Sequence, residues 1–142
     1  MFYATSSRVF FHDTMAYGTQ HFLANFKFQC EAREHLLFSR ILASATVEER
    51  RTFDDIVFLT QEAYSRSLSG AQVGESVATL LSIEDPTAFS VRFCFRVVGQ
   101  DGQPIACGFQ TLATLSARTR QLIAAPTLLQ QYGHPSRTSC GS

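Results

Sequence analysis

Apolar and polar residues follow two different periods along this chain, and each period predicts a different element. Between residues 56 and 116 the period is two, which is typical of strands with one buried face. The clearest case is Phe89–Val97, where Phe and Val alternate with Ser, Arg and Cys. The pattern also predicts strands at Ile56–Ser67, Ser76–Glu84 and Pro104–Ser116, with turns at Asp85–Thr87 and Gly99–Gln103.

A helical period precedes these strands. Apolar residues recur at spacings that place them on one helix face: Phe22, Phe26, Cys30, Leu37 and Ile41. We predict a helix that starts between Gln20 and Asn25 and ends near Ala43, with Thr19 or Asn25 as its N-cap. Arg33 falls inside this apolar stripe, where a cation needs an ion-pair or hydrogen-bond partner.

The first strand is predicted at Arg8–His12, where aromatic and β-branched residues are concentrated. A polar loop, Asp13–Gly18, joins it to the helix, and Glu48–Arg51 reads as an exposed turn or helix end. One strand, one long helix and four strands joined by short turns predict an α+β fold, with the helix packed on a five-stranded antiparallel sheet.

The chain length suits a single domain, which we place at residues 1–132. Within it, Gln121–Tyr132 is predicted as a short helix or an irregular cover, and residues 133–142 as a flexible C-terminal tail. In the strand Ile56–Ser67, alternation places Thr60 and Glu62 on the same face. A small sheet leaves edge strands exposed, so we expect a homo-oligomer, a dimer or tetramer.

Composition excludes several classes of function. The 12 Lys and Arg residues balance the 12 Asp and Glu residues, so no basic field exists to bind nucleic acid. The start, Met1–Arg8, does not resemble a signal peptide, and no apolar run is long enough for a membrane span. The four cysteines show no zinc-site spacing, so we expect reduced thiols, a cytoplasmic protein and neither metal nor cofactor.

The loop and the start of the helix carry a resemblance to a known family. Arg8-Val9-Phe10-Phe11-His12-Asp13-Thr14-Met15-Ala16-Tyr17-Gly18, followed by Ala32-Arg33-Glu34, resembles the opening of hotdog thioesterases of the 4-hydroxybenzoyl-CoA thioesterase type. The run Arg33-Glu34-His35-Leu36-Leu37-Phe38 is most similar to thioesterases of enediyne polyketide biosynthesis. The similarity covers residues 8–38. Met15 departs from the family, because a carboxylate usually occupies that position.

The resemblance implies a hotdog fold that hydrolyses an acyl or polyketide thioester. The substrate would be carried by the acyl carrier protein of a polyketide or fatty acid synthase, or by coenzyme A. Such a reaction needs donors for the developing oxyanion and a group that activates water. The candidate catalytic residues are Arg33, which matches the family arginine, and Asp13, His21 and Glu62. The candidate substrate-binding residues are Thr14, Met15, Tyr17, Gly18, Phe22 and Thr60.

Two alternatives stay open at this point. The first is another reaction on acyl thioesters, dehydration or acyl transfer. The second is a non-catalytic acyl-binding or partner-binding module, for which Met15 is the main argument because a thioether neither takes a proton nor attacks a carbonyl.

Overall fold

The fold consists of one long helix packed on an antiparallel sheet. The computed structural model describes residues 3–10, 13, 22–84, 89–126 and 129. Within them the strands are β1 (Tyr3–Arg8), β2 (Ile56–Ser67), β3 (Ser76–Glu84), β4 (Ser90–Val98) and β5 (Pro104–Ser116). The helices are α1 (Phe22–Glu34), which continues as a π-helix at His35–Ile41 and a 3₁₀ turn at Leu42–Ser44, and α2 (Val47–Asp54).

The sheet has the order β1-β3-β4-β5-β2, and every pairing is antiparallel. The long helix of the predicted fold and its four downstream strands are confirmed, with β4 shifted by one residue from the prediction. In this order β1 and β2 are the two edges of the described sheet. The predicted domain limit at residue 132 lies outside the described residues.

The buried face of α1 differs from the predicted stripe. Residues spaced by four, Ala24, Phe28, Ala32 and Leu36, are buried against the sheet. Leu37 and Ile41 are buried as predicted, but Phe26, Cys30 and Arg33 are only half-buried. The prediction was wrong because it followed the largest apolar side chains. Two small residues, Ala24 and Ala32, are buried instead, with Phe28 fully buried between them along the helix.

The first strand ends earlier than predicted, because Val9 and Phe10 of the predicted strand Arg8–His12 lie after it, while Phe11 and His12 lie outside the described residues. The strand β1 runs from Tyr3 to Arg8 and pairs with Ser76–Leu81 of β3. Its residues are mostly small and polar, so pairing with β3 decides the strand rather than intrinsic propensity. Val9 follows the strand and is buried in the core, where it exchanges hydrogen bonds with the Gly74–Glu75 turn.

The helix α2 occupies the segment predicted as a turn or helix end. It begins with a capping box in which the Thr46 side chain accepts from the Glu49 backbone N–H, and the Glu49 carboxylate accepts from the Thr46 N–H. After β5, residues 121–126 form an irregular cover in which Leu122 bridges to Leu115, and Leu129 is buried in the core. Residues 130–142 lie outside the described residues.

The cysteines differ from the expectation of four reduced thiols. Cys107 is disulfide-bonded, whereas Cys30 and Cys94 are free. Cys94 lies on the sheet face opposite α1, where its thiol is 3.6 Å from the Glu84 carboxylate. Burial, and then the Glu84 charge, raise the pKa of Cys94 from 9.0 to about 12. Among the described helices, none has the length and apolar character needed to cross a membrane.

Candidate active site

Arg33 lies in the last turn of α1 and is half-buried. Its Nη1 donates a hydrogen bond to Oε1 of Gln110 on β5. Gln110 is 1% exposed and lies on the face of β5 that packs against the helix, opposite Ala63 of β2. The half-buried cation therefore has the hydrogen-bonding partner that its position requires.

Gln110 is itself bound by a second glutamine. Its Nε2 donates to Oε1 of Gln29 at 3.2 Å and lies 3.6 Å from Sγ of Cys30. The Nε2 of Gln29 donates to the backbone carbonyl of Tyr64 at 3.2 Å. We call this series the Arg33–Gln110–Gln29 hydrogen-bond chain. It links α1 to β5 and to the edge strand β2.

The two ends of this chain fix the orientation of both amides. Arginine offers only donors, and a backbone carbonyl only accepts. Gln110 must therefore turn its oxygen to Arg33 and its nitrogen to Gln29. Gln29 must then turn its oxygen to Gln110 and its nitrogen to Tyr64. Each hydrogen bond polarises the next, which strengthens a chain whose bonds all point the same way.

Two further residues complete the polar contact between α1 and the β2 edge. Asn25 is fully buried one turn before Gln29, and its Nδ2 donates to Oγ of Ser67 at 2.9 Å. Gly108 lies opposite Ser65, and a Cβ at this glycine would lie 2.7 Å from Nε2 of Gln29. The glycine thus leaves room for the Gln29 amide. This side of the helix meets the sheet through hydrogen bonds, while apolar packing dominates the other side.

The charge of Arg33 is not cancelled by its partner, because Gln110 is neutral. Within the described part of the chain, no carboxylate forms an ion pair with Arg33. The ion pairs of this part join Lys27 to Asp13 and Glu31, and Arg92 to Glu62 and Glu84. A half-buried cation with a neutral partner is a strong site for an anion or for a group that develops negative charge.

Asp13 lies close to α1 but not at Arg33. Its carboxylate accepts from Lys27 Nζ at 2.9 and 3.1 Å and from the Phe10 backbone N–H at 2.9 Å. The side chain of Asp13 is 3% exposed, against 33% for Lys27. These contacts fasten the segment after β1 to the helix, two turns before Arg33.

A β-bulge changes the predicted faces of β2. The register with β5 shifts between Thr60 and Glu62, which leaves Gln61 as the extra residue. Thr60 pairs with Leu112 on the helix side, whereas Glu62 pairs with Thr111 on the opposite side. The prediction that Thr60 and Glu62 share a face is therefore wrong.

On its own side of the sheet, Glu62 lies 3.8 Å from Arg92. The Arg92 guanidinium also stacks over Phe109, and its Nε donates to Thr111. The structure thus places Thr60 on the same sheet face as Gln110, and Glu62 on the far face from Arg33.

The other site residues predicted from the sequence fall at positions 14–22. Thr14, Met15, Tyr17, Gly18 and His21 lie outside the described residues. Phe22 is the first residue of α1, and its side chain lies outside the description as well.

Gln29 and Gln110 were not predicted from the sequence. A signal for them existed, because Gln110 interrupts the inward-facing series Ala106, Gly108, Leu112, and Gln29 follows Asn25 by four residues on the buried helix face. Buried amides at such positions need partners, and each supplies the other with one.

Comparison with known proteins identifies the fold. No family model and no curated protein sequence matches this chain. A 1,4-dihydroxy-2-naphthoyl-CoA thioesterase from Synechocystis superposes with a TM-score of 0.76 at 16% identity, over 93% of this chain and 95% of that one. The dynemicin thioesterase, whose crystal structures describe polyene binding, superposes with a TM-score of 0.76 at 18% identity, over 96% of this chain and 100% of that one.

A Staphylococcus aureus protein solved in complex with CoA gives a TM-score of 0.79 at 14% identity, over 99% of this chain and 90% of that one. At these identities the similarity establishes the architecture. The chain has the hotdog fold of these structures, and the predicted fold class is confirmed.

Proposed function

We propose that this protein is a thioesterase that hydrolyses an acyl or polyketide thioester in a biosynthetic pathway. The observation that carries the proposal is the half-buried Arg33, whose one described partner is the neutral Gln110. The fold supports the proposal, because structures with this fold include thioesterases. The acyl carrier would be a carrier protein or coenzyme A.

The proposed role of Arg33 follows from the charge that thioester hydrolysis creates. Attack of water on the carbonyl carbon places negative charge on the carbonyl oxygen. A fixed cationic donor at that oxygen stabilises the transition state more than the neutral substrate. Removal of one such donor costs about 3 kcal/mol of activation free energy.

Other groups must activate the water. Asp13 is occupied by Lys27 and the Phe10 N–H, and Glu62 pairs with Arg92 on the far side of the sheet. Neither is brought to Arg33 within one chain, so His21 is the candidate base that we favour. We keep Thr14, Met15, Tyr17, Gly18, Phe22 and Thr60 as proposed substrate-binding residues.

The side of α1 that carries Arg33 also suits an apolar chain. Phe26 and Cys30 lie on it and are half-buried, although their apolar side chains favour full burial. An acyl or polyketide chain along this face would cover them and bring its thioester to Arg33. This arrangement and the Arg33–Phe38 sequence support a relation to the enediyne polyketide thioesterases.

The sheet edges support a homo-oligomer, a dimer or tetramer. The strand β2 pairs with β5 on one side and is the edge on the other. It is 12 residues long and exposes Leu59 and Tyr64, which is unusual for an edge that stays unpaired. Light scattering coupled to gel filtration measures the assembly, and a monomer at micromolar concentration would contradict the proposal.

The experiment that tests the activity is release of free thiol from a panel of acyl-CoA and acyl-carrier thioesters. Wild type is compared with Arg33→Ala and with Arg40→Ala, a matched control at an exposed arginine further along the same helix. We expect Arg33→Ala to lower turnover at least about tenfold, equal to about 1.4 kcal/mol, and Arg40→Ala to leave it unchanged.

Other outcomes identify the alternatives. A changed acyl group that keeps its thioester would indicate a dehydratase, and thiol release that requires an added acceptor and yields no free acid would indicate an acyltransferase. Binding of acyl thioesters without turnover would indicate an acyl-binding module. A cytoplasmic location also stays a proposal, supported by the free thiols of Cys30 and Cys94 but not by the disulfide at Cys107.

A further inference from the structure

Gln110 occupies a position that is costly for a polar side chain. It is 1% exposed on an inward-facing position of β5, where Leu112 occupies the next position on the same face. A buried amide without partners destabilises a fold, and the same volume could be filled by Met or Leu at no such cost. The contacts that satisfy Gln110 are Arg33, Gln29 and Cys30.

The identity of the partner decides what Arg33 can do. A carboxylate at position 110 would also hold the guanidinium, and more tightly, through a charge-assisted pair. It would at the same time cancel the positive charge. An amide holds the guanidinium through the same geometry and leaves the charge available to a substrate.

We propose that Gln110 is a positioning residue of the thioesterase reaction, which fixes the Arg33 guanidinium through a neutral amide and is itself fixed by Gln29. The inference rests on the proposed function. Gln29 is itself anchored to the Tyr64 carbonyl, so the Gln110 amide cannot rotate without breaking its hydrogen bonds to Arg33 and Gln29. The guanidinium is then preorganised for the oxyanion, and its position does not depend on substrate binding.

Two substitutions at Gln110 distinguish the positioning of the Arg33 guanidinium from the preservation of its positive charge. Gln110→Met removes the acceptor and keeps the volume, so Arg33 becomes mobile. Gln110→Glu keeps an acceptor but cancels the charge, and its second oxygen faces the Gln29 oxygen. We expect Gln110→Met to lower kcat about 10- to 100-fold, since misplacement of a catalytic donor by 1 Å costs about that much. We expect Gln110→Glu to lower kcat by a similar factor because it cancels the charge, and KM to change less than about threefold in both variants.

Thr114→Val is the matched control. Thr114 is fully buried on the same face of β5, and its hydroxyl donates to the Ile123 carbonyl, away from Arg33. This variant loses a buried hydrogen bond, as Gln110→Met does, so both lower the unfolding midpoint. Only the Gln110 variants are expected to lower kcat.

The experiment combines steady-state thiol release with ¹⁵N NMR of arginine side chains, assigned by loss of the signal in Arg33→Lys. In wild type, restricted rotation of the Arg33 guanidinium is expected, and Gln110→Met should abolish it. Wild-type kcat in Gln110→Met, with Arg33→Ala impaired, would overturn the inference and leave the proposed function standing. No thioester turnover by wild type would overturn both, and the NMR signal would still decide whether Gln110 holds Arg33.

Discussion

Gly108→Ala tests the packing beneath the Arg33–Gln110–Gln29 hydrogen-bond chain. A Cβ at this position would overlap the Tyr64 carbonyl oxygen, and would lie 2.7 Å from Nε2 of Gln29 and 2.9 Å from the Tyr64 carbonyl carbon. The backbone of Tyr64 belongs to the β2–β5 pairing and cannot move without breaking it. The added methyl group must therefore displace Gln29, distort the strands, or both.

Two effects determine how much unfolding free energy Gly108→Ala loses. Overpacking by one methyl group costs about 1–3 kcal/mol. Loss of the bond from Gln29 to Tyr64 leaves a buried amide donor unsatisfied, at about 1–3 kcal/mol. The sum is about 2–6 kcal/mol of unfolding free energy. An unfolding entropy of about 2.1 cal/mol/K per residue gives about 0.3 kcal/mol/K for this chain. The melting temperature should therefore fall by about 7–20 °C.

The assay is thermal unfolding followed by circular dichroism, with all variants at one protein concentration because an oligomer melts in a concentration-dependent way. Gly102→Ala is the control. Its Cβ would meet no atom within 4 Å, but its φ is +79°, so left-handed backbone strain of about 1–2 kcal/mol is the expected cost. If Gly108→Ala melts at or above Gly102→Ala, the steric reasoning is refuted.

Three further predictions concern stability. Lys27→Met strips a partner from the buried Asp13 carboxylate and should cost about 1–3 kcal/mol by urea unfolding, with part of the loss recovered when Asp13→Asn is added. Burial raises the pKa of Cys94 from 9.0 to about 12, so the free energy of unfolding should fall as the pH rises from 9.0 to about 12. Cys94→Ala should make this fall smaller. Thr46→Ala breaks the capping box with Glu49 and should lower the free energy of unfolding by about 1 kcal/mol in the same urea experiment. An unchanged value would contradict a stabilising role for the cap.

Periodicity predicted most of the sheet and the helix. The strands β2, β3 and β5 begin and end where alternation and turn residues place them, because one buried face imposes a strict period of two. The strand β1 was not predicted at its actual position, because its residues have weak strand propensity. Its pairing with β3 joins residues about 70 positions apart, which local patterns do not reveal.

The site was predicted less completely than the fold. Sequence reasoning placed Arg33 where a cation needs a partner, and such a partner exists. The identity of that partner, Gln110, depends on which face of β5 meets the helix and on the rotation of α1 about its axis. Side-chain size does not predict the rotation of the helix, because the small residues Ala24 and Ala32 are the ones buried against the sheet. This rotation directs Arg33 toward β5. The sequence around the bulge at Gln61 contains neither Gly nor Pro, so the bulge could not be predicted from local sequence.

The extra residue at Gln61 determines which face each residue in the second half of β2 occupies. If Gln61 instead paired with β5 as an ordinary strand residue, Glu62 and every second residue after it would point toward α1, and Ser67 would point away from Asn25. Two charged side chains of β2, Glu62 and Arg66, would then enter the interface with the helix. The side chain of Gln61 is exposed and unconstrained by the core, so related sequences are free to vary it. Deletion of Gln61 would place Glu62 directly after Thr60 and keep both on their present faces, whereas pairing of Gln61 with β5 would reverse the faces of all later residues of β2.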